Sequence, residues 1–321
     1  YGSAMIIRQE ISLGDFVALT SYLAMLVWPM IAVGWVINVV QRGYAALDRI
    51  NKILNEVPEV ADEPGSVELP AARGAIEFRN VTFSYSPELP PALSDVSFTI
   101  EAGKTLAIVG RTGSGKSTIV SLLTRLHNPP PGSVFIDGHD IRQITLRSLR
   151  GQLGVAPQES FLFSTTIGKN IAFASDDYPM ERIEHFAEVA QVRKDISEFP
   201  DGFDTMVGER GVTLSGGQKQ RVCIARALIK EPKVLVLDDC LSAVDTQTEE
   251  RILRGLREYM HGRTSIIISH RISTVKDADE IIVLDDGVIR ERGTHDTLVA
   301  AGGIYHELHE KQLLEEELAS K

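Results

Sequence analysis

Cysteine is almost missing from this chain: Cys223 and Cys240 are the two among 321 residues. Neither belongs to a Cys-x-x-Cys pair or a Cys/His cluster, which excludes a disulfide scaffold and a structural zinc site. Two reduced packing thiols are the expected state. A basic surplus is missing as well. Lys plus Arg number 33 against 44 Asp plus Glu, a net charge of -11. That balance excludes a general nucleic-acid binder, and nucleic acid is not an expected partner. A secretory leader is missing too: the chain starts at Tyr1, the first Met is Met5, and no basic n-region or small-residue cleavage site follows. The start reads as a piece cut from a longer polypeptide. With 43% hydrophobic and 24% charged residues, disorder is excluded for the bulk of the chain, and the length fits one large domain or two modest ones.

Charge is also absent from a long stretch near the front. Residues 16–40, from Phe16 to Val40, carry no charged side chain. As a helix the run reaches roughly 37 Å, enough to cross a hydrocarbon core of about 30 Å with some tilt. Pro29 and Gly34 lie inside it, which membrane helices tolerate. A buried helix of a soluble domain is the alternative. Arg8, Glu10 and Asp15 precede the run, and Arg42, Arg49 and Lys52 follow it, which places its C-terminal end in the cytosol. Tyr44, Leu47, Ile50 and Leu54 recur at helical spacing, so one helix continues through about residue 57 in amphipathic form. Pro58, Pro64, Gly65 and Pro70 then punctuate a linker over 58–72. A single membrane helix cannot line a pathway; it is an anchor or the last helix of a bundle.

The next signal is chemical. Thr105 to Val109 reads as a buried strand. It runs into Gly110, Arg111, Thr112, Gly113, Ser114, Gly115, Lys116 and Ser117, which fit G-x-x-x-x-G-K-[ST], with Thr118 in the helix that follows. The glycines let backbone N–H groups turn inward around phosphate oxygens. Lys116 is placed to reach the β- and γ-phosphates and the Ser117 hydroxyl to coordinate Mg²⁺. A second apolar strand, Val234 to Leu237, closes on Asp238, the other half of a magnesium site, and Asp239 follows where a general base faces water. The expected cofactors are ATP and Mg²⁺.

Many nucleotide enzymes share those features. The discriminating run is Leu214, Ser215, Gly216, Gly217 and Gln218, followed by the helical KQRVCIARALIK. Ser215 is a candidate N-cap, and the glycines allow a ligand close to that helix end. The run resembles the signature motif of ATP-binding cassette (ABC) proteins, and the resemblance extends over nearly the whole chain. Tyr85 resembles the aromatic that stacks on adenine, and Gln158 the glutamine that senses Mg²⁺ and the membrane domain. Thr205 to Gly211 resembles the exporter loop beside the signature, Ser242 to Asp245 the loop that crosses the dimer, and His270 the switch histidine that touches the γ-phosphate. The short interval between Lys116 and Asp238 leaves no room for the coiled coil of DNA-repair relatives. The uncharged helix points away from importer subunits and toward an exporter. It resembles the last membrane helix of bacterial multidrug-type half-transporters, which carry several such helices.

The resemblance implies an α/β P-loop NTPase fold with a RecA-like core, an antiparallel β part near 75–105 and a helical subdomain over about 159–228. One transmembrane helix of an exporter membrane domain precedes it. The implied organisation is a membrane-domain remnant over 1–57, the linker, a nucleotide-binding domain over 73–312 and an acidic tail over 313–321. Two such domains would meet head to tail with ATP between them, the Ser215 hydroxyl and Gly217 N–H serving the phosphate held by the partner. The implied partners are a second half-transporter, membrane lipid and a lipophilic small-molecule substrate, in the cell membrane.

One residue departs from the family pattern. The position after Asp238 usually holds Glu, and here it holds Asp239. The carboxylate falls about 1 Å short, and such a misplacement can cost about 100-fold in rate. This resembles the weakly hydrolysing member of heterodimeric exporters. A homodimer with a working Asp239, a regulatory subunit that binds ATP without turnover, and a soluble ABC ATPase unrelated to transport are the other readings.

Overall fold

The computed structural model describes residues 2–69, 72–175, 177–208 and 214–319. The chain divides into two units, residues 1–58 and 59–321.

The first unit is helical. A short helix α1 (Gly2–Ile7) precedes α2 (Leu13–Leu54), which carries both the uncharged run and its amphipathic continuation without a break at Pro29. Ser12 starts α2 with a reciprocal cap: its hydroxyl accepts from the Asp15 N–H at 3.1 Å, and the Asp15 carboxylate accepts from the Ser12 N–H at 3.1 Å. No side chain of α2 is buried, and Trp28 is 77% exposed. The helix is long and apolar enough to cross a membrane.

The second unit holds two sheets. The small one contains β1 (Ile76–Phe83), β2 (Leu93–Ile100), β4 (Val134–Ile136) and β5 (His139–Asp140) in the antiparallel order β2-β1-β4-β5. It therefore extends past the 75–105 segment, because β4 returns from beyond the glycine-rich loop to pair with β1 and brings β5 with it. The central sheet runs β10-β9-β3-β8-β7-β6. Its strands are β3 (Thr105–Val109), β6 (Leu153–Ala156), β7 (Val234–Asp238), β8 (Thr264–Ile268), β9 (Glu280–Asp285) and β10 (Val288–Gly293). All pairings are parallel except β9 with the edge strand β10.

Every residue of β7 and β8 is buried, as parallel strands covered on both faces require. The pleat sorts their side chains into two layers. Leu106 and Ile108 of β3 join one apolar cluster with the small sheet, while Ala107 and Val109 join another with the helices. Helix α3 (Lys116–Leu123) follows β3, and α4 (Leu146–Gln152) leads into β6. Among the described residues between β6 and β7 lie the helices α5 (Ile167–Ile171), α6 (Met180–Val189), α7 (Arg193–Ser197) and α8 (Gly216–Leu228). Helix α9 (Thr246–Met260) joins β7 to β8, and α10 (Ile272–Val275), α11 (His295–Ala301) and α12 (Ile304–Ala319) complete the unit. Both cysteines are buried and free, as the composition predicts.

Candidate functional site

The glycine-rich loop is shaped by backbone that only glycine can supply. Gly110 has φ +155, and a Cβ there would lie 2.1 Å from the Leu284 carbonyl oxygen. Gly115 has φ +102, and a Cβ would lie 2.6 Å from the Ala92 oxygen. The chain therefore turns tightly from β3 into α3. Arg111, Thr112, Gly113 and Ser117 stay exposed, while Ser114 and Lys116 are buried. The Lys116 ammonium donates to the loop's own carbonyls, Gly110 at 2.9 Å and Arg111 at 2.7 Å. Burial pulls its pKa down, and the charges of Asp238 and Asp239 oppose that shift. Gly115 caps α3 without a side-chain bond, so the first turn directs unpaired N–H groups and the positive end of the helix at the loop. Thr118 in that turn is tied to Tyr85 through their hydroxyls at 3.0 Å. Tyr85 itself is 50% exposed, in T-shaped contact with the Phe83 and His127 rings, each at 5.1 Å.

Parallel register gathers the remaining strand ends at one edge. Ile108 of β3 pairs with Ile268 of β8, Asp238 of β7 pairs with Ile268, and Ala156 of β6 pairs with Leu237. The Gly110 loop, Asp238 and Asp239, the Gln158 segment and His270 thus all leave the carboxyl edge, where open α/β sheets bind ligands. Asp238 is 7% exposed. Burial first, then the neighbouring Asp239, pushes its pKa up to about 6, with Lys116 pulling down. Asp239 has φ +44, and its N–H donates to the Ile268 carbonyl at 2.8 Å. Gln158 and His270 are both exposed.

A magnesium-bound nucleotide fits this donor set. The loop is a cradle that a Cβ would fill. Asp238 is a buried carboxylate whose ionised form Lys116 compensates only in part, and a divalent cation would supply the rest. Ser117 adds a hydroxyl on the first turn of α3.

The Ser215–Gln218 run lies elsewhere, at the start of α8. Ser215 is the N-cap: its hydroxyl accepts from the Gln218 N–H at 3.2 Å, and its N–H donates to the Gln218 side chain at 3.0 Å. The capping hydroxyl keeps its own proton to donate outward. Gly216 and Gly217 occupy positions whose N–H groups have no intrahelical acceptor. A Cβ on Gly217 would lie 2.9 Å from the Ala243 carbonyl, so glycine there lets the helix pack on the 242–245 loop. Among the described residues, this run shares no hydrogen bond with the Gly110–Thr118 loop. The Thr205–Gly211 run is described only through Gly208, whose companions 209–213 lie outside the described residues.

Sequence reasoning passed over the residues that connect these parts. Gln220, 5% exposed, donates to the Ser242 hydroxyl at 2.9 Å and accepts from the Ala243 N–H at 2.9 Å. Asp195 takes both ends of the Arg221 guanidinium at 2.8 and 3.1 Å and also the Gln218 amide. Burial alone would raise the Asp195 pKa, but those bonds hold it below the usual carboxylate value. Arg271, next to His270, pairs with Glu249 of α9 and donates to the Ser242 and Val244 carbonyls. Nothing in the local sequence marks these partners, because each lies 20 or more residues away.

Comparison with known proteins places this geometry. Residues 93–242 match the family model for ABC transporters. The chain is 46% identical over 316 residues to the probable multidrug resistance ABC transporter ATP-binding/permease protein YheI of Bacillus subtilis, covering 98% of this chain and 54% of that protein. It is 46% identical over 307 residues to the ATP-dependent lipid A-core flippase of Photorhabdus laumondii, covering 95% and 52%. Among solved structures, a bacterial Atm1-family ABC exporter with ATP bound superposes with a TM-score of 0.84 at 41% identity, covering 94% of this chain and 53% of that one. The chain spans about half the length of the curated relatives it matches.

Proposed function

We propose, from the premise that this chain carries the ATP-binding domain of an ABC transporter, that it drives export of a lipophilic substrate, a drug or a lipid, as one half of a membrane exporter. The observation that carries the reading is the division of the site. Lys116, Asp238, Asp239, Gln158 and His270 converge at one sheet edge, while Ser215 to Gln218 present a second anion-binding helix end with no phosphate loop of its own. A complete site then needs a second copy of the fold, each domain closing the other's nucleotide.

The residues divide the work accordingly. Lys116 exchanges its loop carbonyls for phosphate oxygens. The N–H groups at the start of α3 hold the same anion. Magnesium, when bound, would supply charge neutralisation on the phosphates. Asp238, in its ionised form, Ser117 and Gln158 are the groups that would hold it. Asp239 orients and deprotonates the attacking water, and His270 addresses the γ-phosphate. Tyr85 offers its ring to the base. From the partner's side, the Ser215 hydroxyl and Gly217 N–H complete the opposite site.

The short carboxylate of Asp239 favours a finer reading: slow hydrolysis at this chain's own site and pairing with a different, competent half-transporter. It also sustains the second reading, a regulatory subunit that binds ATP without significant turnover. The test is Mg-ATP hydrolysis in lipid by the full-length protein, alone and mixed with candidate partner half-transporters. Turnover only in the mixture, lost with Ser215→Ala and merely reduced with Asp239→Asn, supports the heterodimer. Full turnover alone overturns it in favour of a homodimer.

A further inference from the structure

His270 sits on an exposed turn just beyond the fully buried strand β8. Its usefulness depends on what holds that turn. The Ser269 hydroxyl accepts from the Arg271 N–H at 3.0 Å, which shapes the turn from within. From outside, one side chain grips it on both flanks. The Gln312 carboxamide accepts from the Ile272 N–H at 2.7 Å and donates to the His270 carbonyl. Ile272 is the first residue of α10, so its N–H has no intrahelical acceptor. A carboxamide offers one acceptor oxygen and a donor nitrogen, which suits this pair of backbone groups, and neither a carboxylate nor an ammonium offers both.

Gln312 is itself placed by the docking of α12. Glu291 accepts from the Tyr305 N–H at 3.0 Å at the start of that helix, and Tyr305 is fully buried. The Tyr305 hydroxyl meets His295 Nδ1 at 2.9 Å. One turn further, the His309 ring meets the His295 ring edge-on at 5.3 Å. Gln312 follows seven residues after Tyr305, two turns along the same helix face. Three successive points on that face thus deliver the amide to the His270 turn.

We propose that Gln312 is a positioning residue for His270, through which the C-terminal helix α12 fixes the reach of that histidine toward the γ-phosphate. The proposal rests on the nucleotide reading of the site given above. Gln312 touches no substrate; its effect passes entirely through the His270 backbone, so it belongs to the chemical step and not to ATP affinity.

The experiment is single-turnover hydrolysis of labelled Mg-ATP by the full-length protein in lipid, with the opposite nucleotide site silenced. Gln312→Met keeps length and volume and removes both hydrogen bonds. It is expected to lower the hydrolysis rate about tenfold, the size of effect that a sub-ångström misplacement produces, with ATP affinity within twofold. Gln312→Glu keeps the acceptor for Ile272 and is expected to fall between Met and the native residue. Leu314→Ala, on an exposed position of the same helix, is expected to change nothing. In a His270→Ala background, Gln312→Met is expected to have no further effect, because the residue acts through that histidine. A native rate in Gln312→Met overturns the clamp. So does a loss that multiplies with that of His270→Ala, or one accompanied by a matching fall in thermal stability, since each marks a general structural role. A native rate in His270→Ala is a different failure: it overturns the reading of the site on which the clamp depends.

Discussion

Lys116 and Ser215 both open a helix, yet they stand in opposite surroundings. Lys116 is buried, desolvated and flanked by two acids, and its loop is forced by glycines pressed against neighbouring backbone. Ser215 is exposed at the end of a helix whose cap is satisfied within its own first turn. The first arrangement stores unfavourable electrostatics, which on the proposed function a bound anion and cation would relieve. The second stores none; it holds a ready surface for something that comes from outside. The proposed function thus gives a single chain a binding half under tension and a recognising half at rest, and substitutions should separate the two.

The largest effect is expected at Lys116. Lys116→Ala removes the phosphate-side cation, and turnover at this site should fall roughly 100- to 1000-fold, as for loss of one preorganised electrostatic group. Thermal stability should barely move, since a costly buried charge leaves with the function. Persistence of turnover would break the assignment of this half. Ser215→Ala should behave inversely. It costs about 1 kcal/mol of helix capping, leaves equilibrium ATP binding to the chain's own loop intact, and removes turnover at the opposite site. Loss of the chain's own nucleotide affinity in this variant would show that the two halves are not separate. Next in size, Asp239→Glu lengthens the acid by one methylene and should raise turnover at least several-fold toward the 100-fold attributed to a displacement of about 1 Å. An unchanged rate would mean that Asp239 already reaches its water.

What the sequence made legible in both halves is local. The phosphate loop is a spacing of glycines, a lysine and a serine between an apolar run and a helix, and the structure has β3 and α3 there. The S-x-x-Q pattern at Ser215 is a capping box, and it forms one. The wiring between halves was not legible. Gln220 looks like one polar residue on an amphipathic helix until its amide meets Ser242 and Ala243 across the fold. Strand β4 joins the small sheet only through its non-local pairing with β1, and brings β5 with it. The end of α3 is likewise set from outside the local sequence. Arg125 turns at φ +48, fully buried, to donate to the carbonyls of Ile141, Ile144 and Ala61, and that tertiary demand ends α3 at Leu123.

Acid should sharpen the contrast, because the two halves contain carboxylates shifted in opposite directions. Asp238 is raised to about 6. The native state therefore binds its proton more tightly than the unfolded chain, whose Asp titrates near 3.9. In magnesium-free, nucleotide-free protein, stability should rise as pH falls from about 7 toward 4, by up to about 1.4 kcal/mol per unit while one proton separates the two states. Asp238→Asn should flatten that slope. Asp195 is the reverse case. Its pKa is held down against burial by Arg221 and Gln218, so its contribution is fully present above the unfolded value and is lost as pH falls through the lower native one. It should be silent between pH 7 and 5 and matter only below roughly pH 4. Asp195→Asn should thus leave the acid-driven gain untouched, while costing a roughly constant 1–3 kcal/mol at neutral pH for the broken charged pair. The read-out is denaturant unfolding of the two variants against the native chain across that pH range. If Asp195→Asn, and not Asp238→Asn, removed the slope above pH 4, the tension would lie where α7 meets α8, and the contrast between the halves would be inverted.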